Sequence, residues 1–361
     1  TFGGFALFLD TSKKSAAAAL QDLASLGITV KIVTGDNEHV TTHVCESLCV
    51  EAGDLLTGEQ VACLSDDALT ARVRTANRFC RVNPAQKARV IAALRRAGHV
   101  VAYLGDGIND APSLHAADVG ISVKGAADIA KEAADMILLQ NDLDVLAEGV
   151  REGRRTFANV MKYIMMGTSS NFGNMFSMAG GVLVLPFLPM LPIQILLNNL
   201  LYDISEIAIP TDRVDEEAIA RPGRWDMASV RRFMLLFGPI SSVFDFVTFG
   251  VLRWAFRAES SLFHTGWFLE SLFTQVLVIF IIRTGRPFFA SRPSPFLVAS
   301  SLGTLAVALL VPYTPLAIWL HFVAPPLPVL AALFAITATY LGATDLAKRR
   351  IFRPSSRASH I

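Results

Sequence analysis

The chain has 361 residues, enough for two or more domains, with 32 Lys and Arg against 31 Asp and Glu and a formal net charge of +1. So even a balance gives no electrostatic reason to expect nucleic acid as a partner. Hydrophobic residues make up 52% of the chain and mean hydropathy is +0.45, but the average hides a division. Residues 1–156 carry 16 basic and 20 acidic groups, a slightly acidic soluble segment. The rest carries 16 and 11, clustered between long apolar runs. All four cysteines, Cys45, Cys49, Cys63 and Cys80, lie in the first segment. The i,i+4 spacing of Cys45 and Cys49 could suit a metal, but no nearby His/Cys pair completes a four-ligand set. Reduced, packed thiols in a cytosolic domain are expected.

Thr1 leads into a strand-like run at 5–9 without an initiating Met or a signal peptide, so the chain reads as a fragment that enters in mid-sheet. Further strand-like runs at 28–33, 78–82, 99–104, 118–122 and 136–139 alternate with helical patterns at 13–26, 38–48 and 84–97. Pro84 suits a first helical turn, where its missing N–H is not needed, and Gly27 and Gly98 stand where helices end. The alternation predicts a mostly parallel sheet with helices on both faces. Ligands of such sheets gather at the carboxyl ends of the strands.

Three of those strand ends carry matching chemistry. After Val33 come Thr34, with a hydroxyl, Gly35, which lets a phosphate approach the backbone, and Asp36. Asn83-Pro84-Ala85-Gln86-Lys87 sets an ammonium in the first turn of a helix. Gly105-Asp106-Gly107-Ile108-Asn109-Asp110-Ala111-Pro112 follows the run at 99–104. Its two glycines allow a sharp turn. Its carboxylates, Asp106 and Asp110, suit a hard cation such as Mg²⁺, held through one or two side chains plus a phosphate. A turn alone requires neither a second acid nor the amide of Asn109 nor a proline. Together these groups position a phosphoryl group and offset its charge. The set lacks a nucleophile.

From about residue 158 the pattern becomes that of a membrane protein. Six runs, at 160–185, 191–210, 231–256, 266–283, 295–313 and 327–346, approach the ~20 residues that a span needs. Lys and Arg concentrate in 211–232, in 284–294 and after 346, and are absent from 186–192 and 314–326. The positive-inside rule then puts both chain ends in the cytoplasm. The expected organisation is a soluble domain over 1–156, a six-helix membrane domain over 157–350 and a tail over 351–361.

Polar groups interrupt the spans. Asn171 and Asn174 share a face of the first, and Asn199, Asp203 and Glu206, spaced +4 and +3, share a face of the second. Asp245 is mid-span in the third, and Glu270 is near one end of the fourth. A charge at a helix centre costs ~2.5–3.5 kcal/mol on insertion scales, and such residues usually line a pathway. Glu270 can instead snorkel, and the amides can serve as helix–helix contacts. The donors are oxygens, suited to Mg²⁺, Ca²⁺ or alkali cations and not to soft metals.

The order Thr-Gly-Asp, Pro-x-x-Lys, Gly-Asp-Gly-x-Asn-Asp-x-Pro resembles the phosphorylation domain of P-type ATPases, an α/β fold of the haloacid-dehalogenase-like group. The strings at 197–203, Arg224-Trp225 and 232–242 look like magnesium-importing P-type ATPases of bacteria. The resemblance implies an ATP-driven pump in the lipid bilayer of the plasma (inner) membrane, with ATP and Mg²⁺ as cofactors. It implies that Thr34 and Lys87 contact an aspartyl phosphate, that Asp106 binds the catalytic Mg²⁺, and that Asn109 and Asp110 support that site, Asp110 as a further Mg²⁺ ligand. Asp10 resembles the family's turn near the nucleotide. Asn171, Asn174, Asn199 and Asp203 match positions that carry the transported divalent cation, with Glu206 and Asp245 as further candidates. The family's Asp-Lys-Thr-Gly-Thr nucleophile motif is not among the 361 residues. The expected partner is therefore the N-terminal part of the pump, as a separate chain or an adjoining reading frame. The alternatives are a non-catalytic membrane protein with a relic phosphatase-like domain, or a pump for calcium, protons or sodium.

Overall fold

A computed structural model describes residues 15–50, 53–140 and 142–351. The strand expected at 5–9, Asp10 and the tail beyond 351 lie outside the described residues. The chain forms two units, Thr1–Glu152 and Gly153–Ile361.

In the first unit the described strands are all parallel but form two sheets. The first holds β1 (Ile32–Val33), β2 (Asp54–Thr57) and β3 (Ala76–Cys80) in the order β1-β3-β2. The second holds β4 (Ala102–Leu104), β5 (Val119–Val123) and β6 (Met136–Leu138) in the order β4-β5-β6. The run expected at 28–33 shrinks to two residues, Ile32 and Val33, paired with Arg78 and Phe79. The helices are α1 (Ala16–Ser25), α2 (Glu38–Ser47), α3 (Gly58–Cys63), α4 (Asp66–Arg72), α5 (Pro84–Arg96), α6 (Ala111–Ala116) and α7 (Asp128–Ala133). Neither β2 nor α3 and α4 is expected from the periodicity, because all three are short. Their signals are instead the N-caps: Thr57 makes a capping box with Gln60, and Ser65 accepts from the Ala68 N–H.

Helix α5 shows why the site is held firmly. Asn83 and Gln86 make a reciprocal capping box, and Pro84 fills the first turn. The apolar stripe Val90, Ile91 and Leu94 is buried, with Val90 and Leu94 in the core formed with Leu56, Leu69 and Phe79. The helix stops at Gly98, whose φ of +88° suits glycine. The expected thiols are all free, but only Cys45 and Cys80 are buried, while Cys49 and Cys63 are exposed.

The helices that follow are α8 (Asp144–Val184), α9 (Pro192–Glu206), α10 (Glu216–Ile219), α11 (Met227–Gly250), α12 (Ser260–Ile282), α13 (Pro295–Leu310), α14 (Leu316–Leu320) and α15 (Leu327–Ile351). Among the described residues, four helical stretches are long and apolar enough to cross a membrane: Met227–Ala255, Ser260–Ile282, Pro295–Tyr313 and Leu327–Arg350. The first two of the six expected spans fall short for different reasons. α8 is 41 residues long but is diluted by the polar stretch from Thr168 to Asn174. α9 has only 15 residues and ends before Pro210 in a 3-10 turn, below the ~20 that a span needs. The two expected spans that fall short, one in polarity and one in length, are the two that carry most of the polar candidates.

Helix α12 is the centre of this unit, with Phe263, Trp267, Phe268, Leu272 and Phe273 all buried. α8 and α11 approach closely through glycines. A Cβ on Gly173 would lie 3.1 Å from the Gly238 carbonyl oxygen, and one on Gly238 would lie 2.6 Å from the Phe172 ring. Small residues allow such backbone approach between helices.

The loops after α9 and α12 are tied by buried ions. Both Lys162 Nζ, at 2.9 Å, and Arg283 Nε, at 2.8 Å, donate to Asp212 Oδ2. Beside them, Asp215 accepts from the hydroxyls of Thr284 (2.6 Å) and Ser291 (2.9 Å). Burial alone would push the Asp215 carboxyl up; the two hydroxyls, then Arg286 and Arg283, outweigh it and hold it below the usual carboxylate range. With the folded value depressed, the contribution is present above the unfolded value of about 3.9 and is lost as pH falls through the folded one. Asp215→Asn should therefore lower stability at neutral pH and flatten the acid limb of a thermal-unfolding series. An acid limb as steep as that of the wild type would remove Asp215 from this role.

Candidate phosphoryl-transfer and cation sites

The first unit brings two of the three motifs into contact. Lys87 Nζ lies 2.8 Å from Asp110 Oδ1, with both side chains mostly buried. Tyr103 Oη donates to the same oxygen at 2.8 Å, and the Gly107 N–H donates to Oδ2 at 3.1 Å. Burial would raise the Asp110 carboxyl; donation from Lys87, Tyr103 and Gly107 outweighs it and leaves the group below its ordinary range. Burial, followed by the neighbouring Asp110, pushes the Tyr103 phenol up, so it stays a neutral donor. Three donors thus converge on a carboxylate with about four acceptor positions. These bonds tie Asp110 to α5, to β4 and to its own turn.

Asp106, by contrast, is exposed, and its carboxylate makes no hydrogen bond among the described residues. Its backbone is held, because the Ala127 N–H donates to its carbonyl at 3.0 Å. An anionic oxygen that is exposed and unengaged on a fixed turn fits a hard cation. Asn109 is exposed on the same turn. The Thr34 motif lies next to the start of α5, since the Val82 N–H donates to the Thr34 carbonyl at 3.2 Å. Its hydroxyl turns back on Asp36, donating to Oδ2 at 2.7 Å. Gly35 is exposed between them. The sequence did not single out Tyr103. It stands in a run read as a buried strand, and its one signal is a hydroxyl among apolar neighbours.

In the second unit a cavity of about 580 Å³ opens between α8, α9 and α12. Asn171, Asn174 and Asn199 line it, together with Asn198, Trp267 and Ser271. The Ser271 hydroxyl donates to Asn174 Oδ1 at 3.3 Å. Asn198 is buried, and its Oδ1 has no partner among the described residues. Asp203 does not line this cavity; it is exposed one helical turn beyond Asn199. Glu206 is buried beside Tyr202, and its Oε1 has no hydrogen-bond partner among the described residues. Asp245 also lies outside the lining. Its oxygens accept from Ser177 Oγ (2.6 Å) and from the indole N–H of Trp267 (2.8 Å), so it braces a wall of the cavity. Glu270 is fully buried and does not snorkel. Among the described residues no three His, Cys, Asp or Glu side chains cluster as a metal-ligand set. The polar part of the cavity lining is amide and hydroxyl oxygen, and Met175, Met178, Met190 and Ile195 supply much of the rest.

Comparisons with known proteins find similarity in both parts of the chain. Residues 2–118 and 88–150 match two families described as haloacid dehalogenase-like hydrolases, and residues 187–350 match "Cation transporting ATPase, C-terminus". The chain is 50% identical over 350 residues to "Magnesium-transporting ATPase, P-type 1" of Salmonella typhimurium (strain 14028s / SGSC 2262), covering 96% of this chain and 39% of that protein. The protein of the same description from Escherichia coli (strain K12) is 49% identical over the same shares. "Probable cation-transporting ATPase F" of Mycobacterium bovis is 38% identical over 204 residues, 55% of this chain and 22% of that protein. The chain thus spans about two fifths of the length of its magnesium-transporting relatives.

Proposed function

We propose that this chain, a homologue of the P-type magnesium-transporting ATPases along nearly its whole length, is the C-terminal part of an ATP-driven pump that imports Mg²⁺ across the plasma (inner) membrane. The observation that carries the reading is the Lys87–Asp110 bond. It fastens the helix start that carries Lys87 to the turn that carries Asp106, and among the described residues it leaves the Asp106 carboxylate without a hydrogen bond. In this reading Thr34, Gly35 and Lys87 receive the phosphoryl group and Asp36 holds the Thr34 hydroxyl. Asp106 holds Mg²⁺, and Asn109 and Asp110 keep the turn in place. Bound there, Mg²⁺ offsets charge on the phosphoryl oxygens. ATP is the donor, and the acceptor carboxylate comes from the N-terminal part of the pump.

The membrane domain in this reading has six spans, α8, α9 lengthened by the 3-10 turn Ile209–Thr211, α11, α12, α13 and α15, with both ends in the cytoplasm. The Arg-rich loops after α9 and α12 support that orientation. The transported ion is held by Asn171, Asn174 and Asn199 at the cavity, with Asp203 as the charged ligand and Glu206 further along the same helix. Amides, one carboxylate and retained water suit Mg²⁺, which dehydrates reluctantly and prefers octahedral oxygen coordination. An exposed Asp203 cannot face lipid, so helices of the N-terminal part are expected to cover it. In the completed pump, Asp203→Asn should abolish Mg²⁺ uptake into a magnesium-starved host while membrane expression is unchanged. Uptake equal to that of the wild type would remove Asp203 from the ion path.

A further inference from the structure

We propose that Tyr103 is a positioning residue of the phosphoryl-transfer site, one that lets Lys87 leave Asp110 for the phosphoryl group. The inference rests on the reading above and adds a residue that it does not contain. Lys87 Nζ and Tyr103 Oη both donate to Asp110 Oδ1, each at 2.8 Å. Among the described residues only the Gly107 N–H, at 3.1 Å, holds the other oxygen. Asp110 is 8% exposed, so little water is available to replace a lost donor. Stripping a donor from a buried acceptor forfeits the desolvation already incurred. Were Lys87 the sole partner of Oδ1, its ammonium could reach a phosphoryl oxygen only by leaving a buried carboxylate oxygen bare.

Tyr103 removes that obstacle. It stands on β4, two residues before the turn, and its hydroxyl stays on Oδ1 when the ammonium moves. Asp110 then remains anchored through Tyr103 and Gly107, and the turn that carries Asp106 keeps its shape. The turn is built to admit this contact. A Cβ on Gly105 would lie 2.6 Å from Asp110 Cβ and 2.9 Å from Tyr103 Cε1. Only glycine lets the ring and the carboxylate meet across it.

The test is single-turnover phosphorylation of the completed pump by labelled ATP. Tyr103→Phe is expected to slow phosphoenzyme formation on the order of tenfold, with half-saturating ATP unchanged, since the effect falls on a step after binding. In an Asp110→Asn background the anion that retains Lys87 is gone, and Tyr103→Phe should have no further effect. A general loss of packing would instead slow both backgrounds by the same factor. A wild-type rate for Tyr103→Phe, or equal slowing in both backgrounds, overturns the proposal. Should Tyr103→Phe fail to fold, Tyr103→His, which keeps a ring N–H, carries the test: it must phosphorylate faster than Tyr103→Leu, and equal rates overturn the proposal. A wild-type completed pump that forms no phosphoenzyme overturns the pump reading itself and this inference with it. The two failures are therefore distinguishable.

Discussion

Asp212→Ala is expected to destabilise the helical unit by about 3–5 kcal/mol, the range found when one partner of a buried ion pair is removed. The Asp212 side chain is fully buried, and that of Arg283 is 1% exposed. Lys162 and Arg283 share Asp212 Oδ2, while Oδ1 accepts the Ser294 N–H at 3.2 Å. Alanine leaves two cations and the Ser294 N–H without the carboxylate they share. Lysine can respond by losing its proton, but the guanidinium cannot. Arg283 would keep bonds to the carbonyls of Ser291 (2.9 Å) and Arg292 (3.0 Å), and these hold its geometry without neutralising its charge. Asp212→Asn keeps the acceptor oxygen and loses only the charge, so it should fall between wild type and alanine. Denaturant unfolding of the detergent-solubilised chain reads all three. An alanine variant as stable as the wild type would show that water reaches the cluster and that the ions are not truly buried.

That cluster was not legible in the sequence, and the reason is distance along the chain. Asp212 meets residues 50 positions before it and 71 after it. Read linearly, Arg283 and the arginines of the two loops count only toward the orientation of the spans. Contact between loops is a property of the packed bundle, and nothing local announces it. The turn at 105–112 was legible for the opposite reason. Its glycines, acids, amide and proline are contiguous, so strand end, turn and helix start can be written from eight residues. The parts read least well lie between these extremes. Tyr103 sits two residues before that turn, but its hydroxyl acquires a role only when Asp110 folds back towards β4. Asp203 shares a helical face with Asn199 by spacing, and spacing cannot tell whether that face turns into a cavity or away from it. β2, α3 and α4 were missed because elements of four to seven residues give periodicity too little length to act on.

Asp106→Asn in the completed pump is expected to lower phosphoenzyme formation at limiting Mg²⁺ on the order of 100-fold, the scale on which loss of one preorganised electrostatic contact is felt. The two candidate carboxylates of the turn divide the work by their surroundings. Asp110 is engaged by Lys87, Tyr103 and the Gly107 N–H, and Asp106 by no side chain among the described residues. An asparagine at 106 keeps the size of the side chain and one oxygen, and it removes the negative charge that a hard cation favours. Because the Asp106 side chain makes no hydrogen bond among the described residues, thermal unfolding of the variant should match that of the wild type. Raising Mg²⁺ should recover part of the phosphorylation, since a weakened ligand set is refilled by mass action. Asp67→Asn, which alters an exposed carboxylate on α4, controls for a general change of charge. Near-normal phosphorylation of Asp106→Asn at limiting Mg²⁺ would move the cation to Asp110. Lys87 would then have to leave that carboxylate before the metal arrives, and Lys87→Met should strengthen Mg²⁺ binding. If Asp106 is the ligand, Lys87→Met should leave the Mg²⁺ requirement where it was and slow the transfer alone.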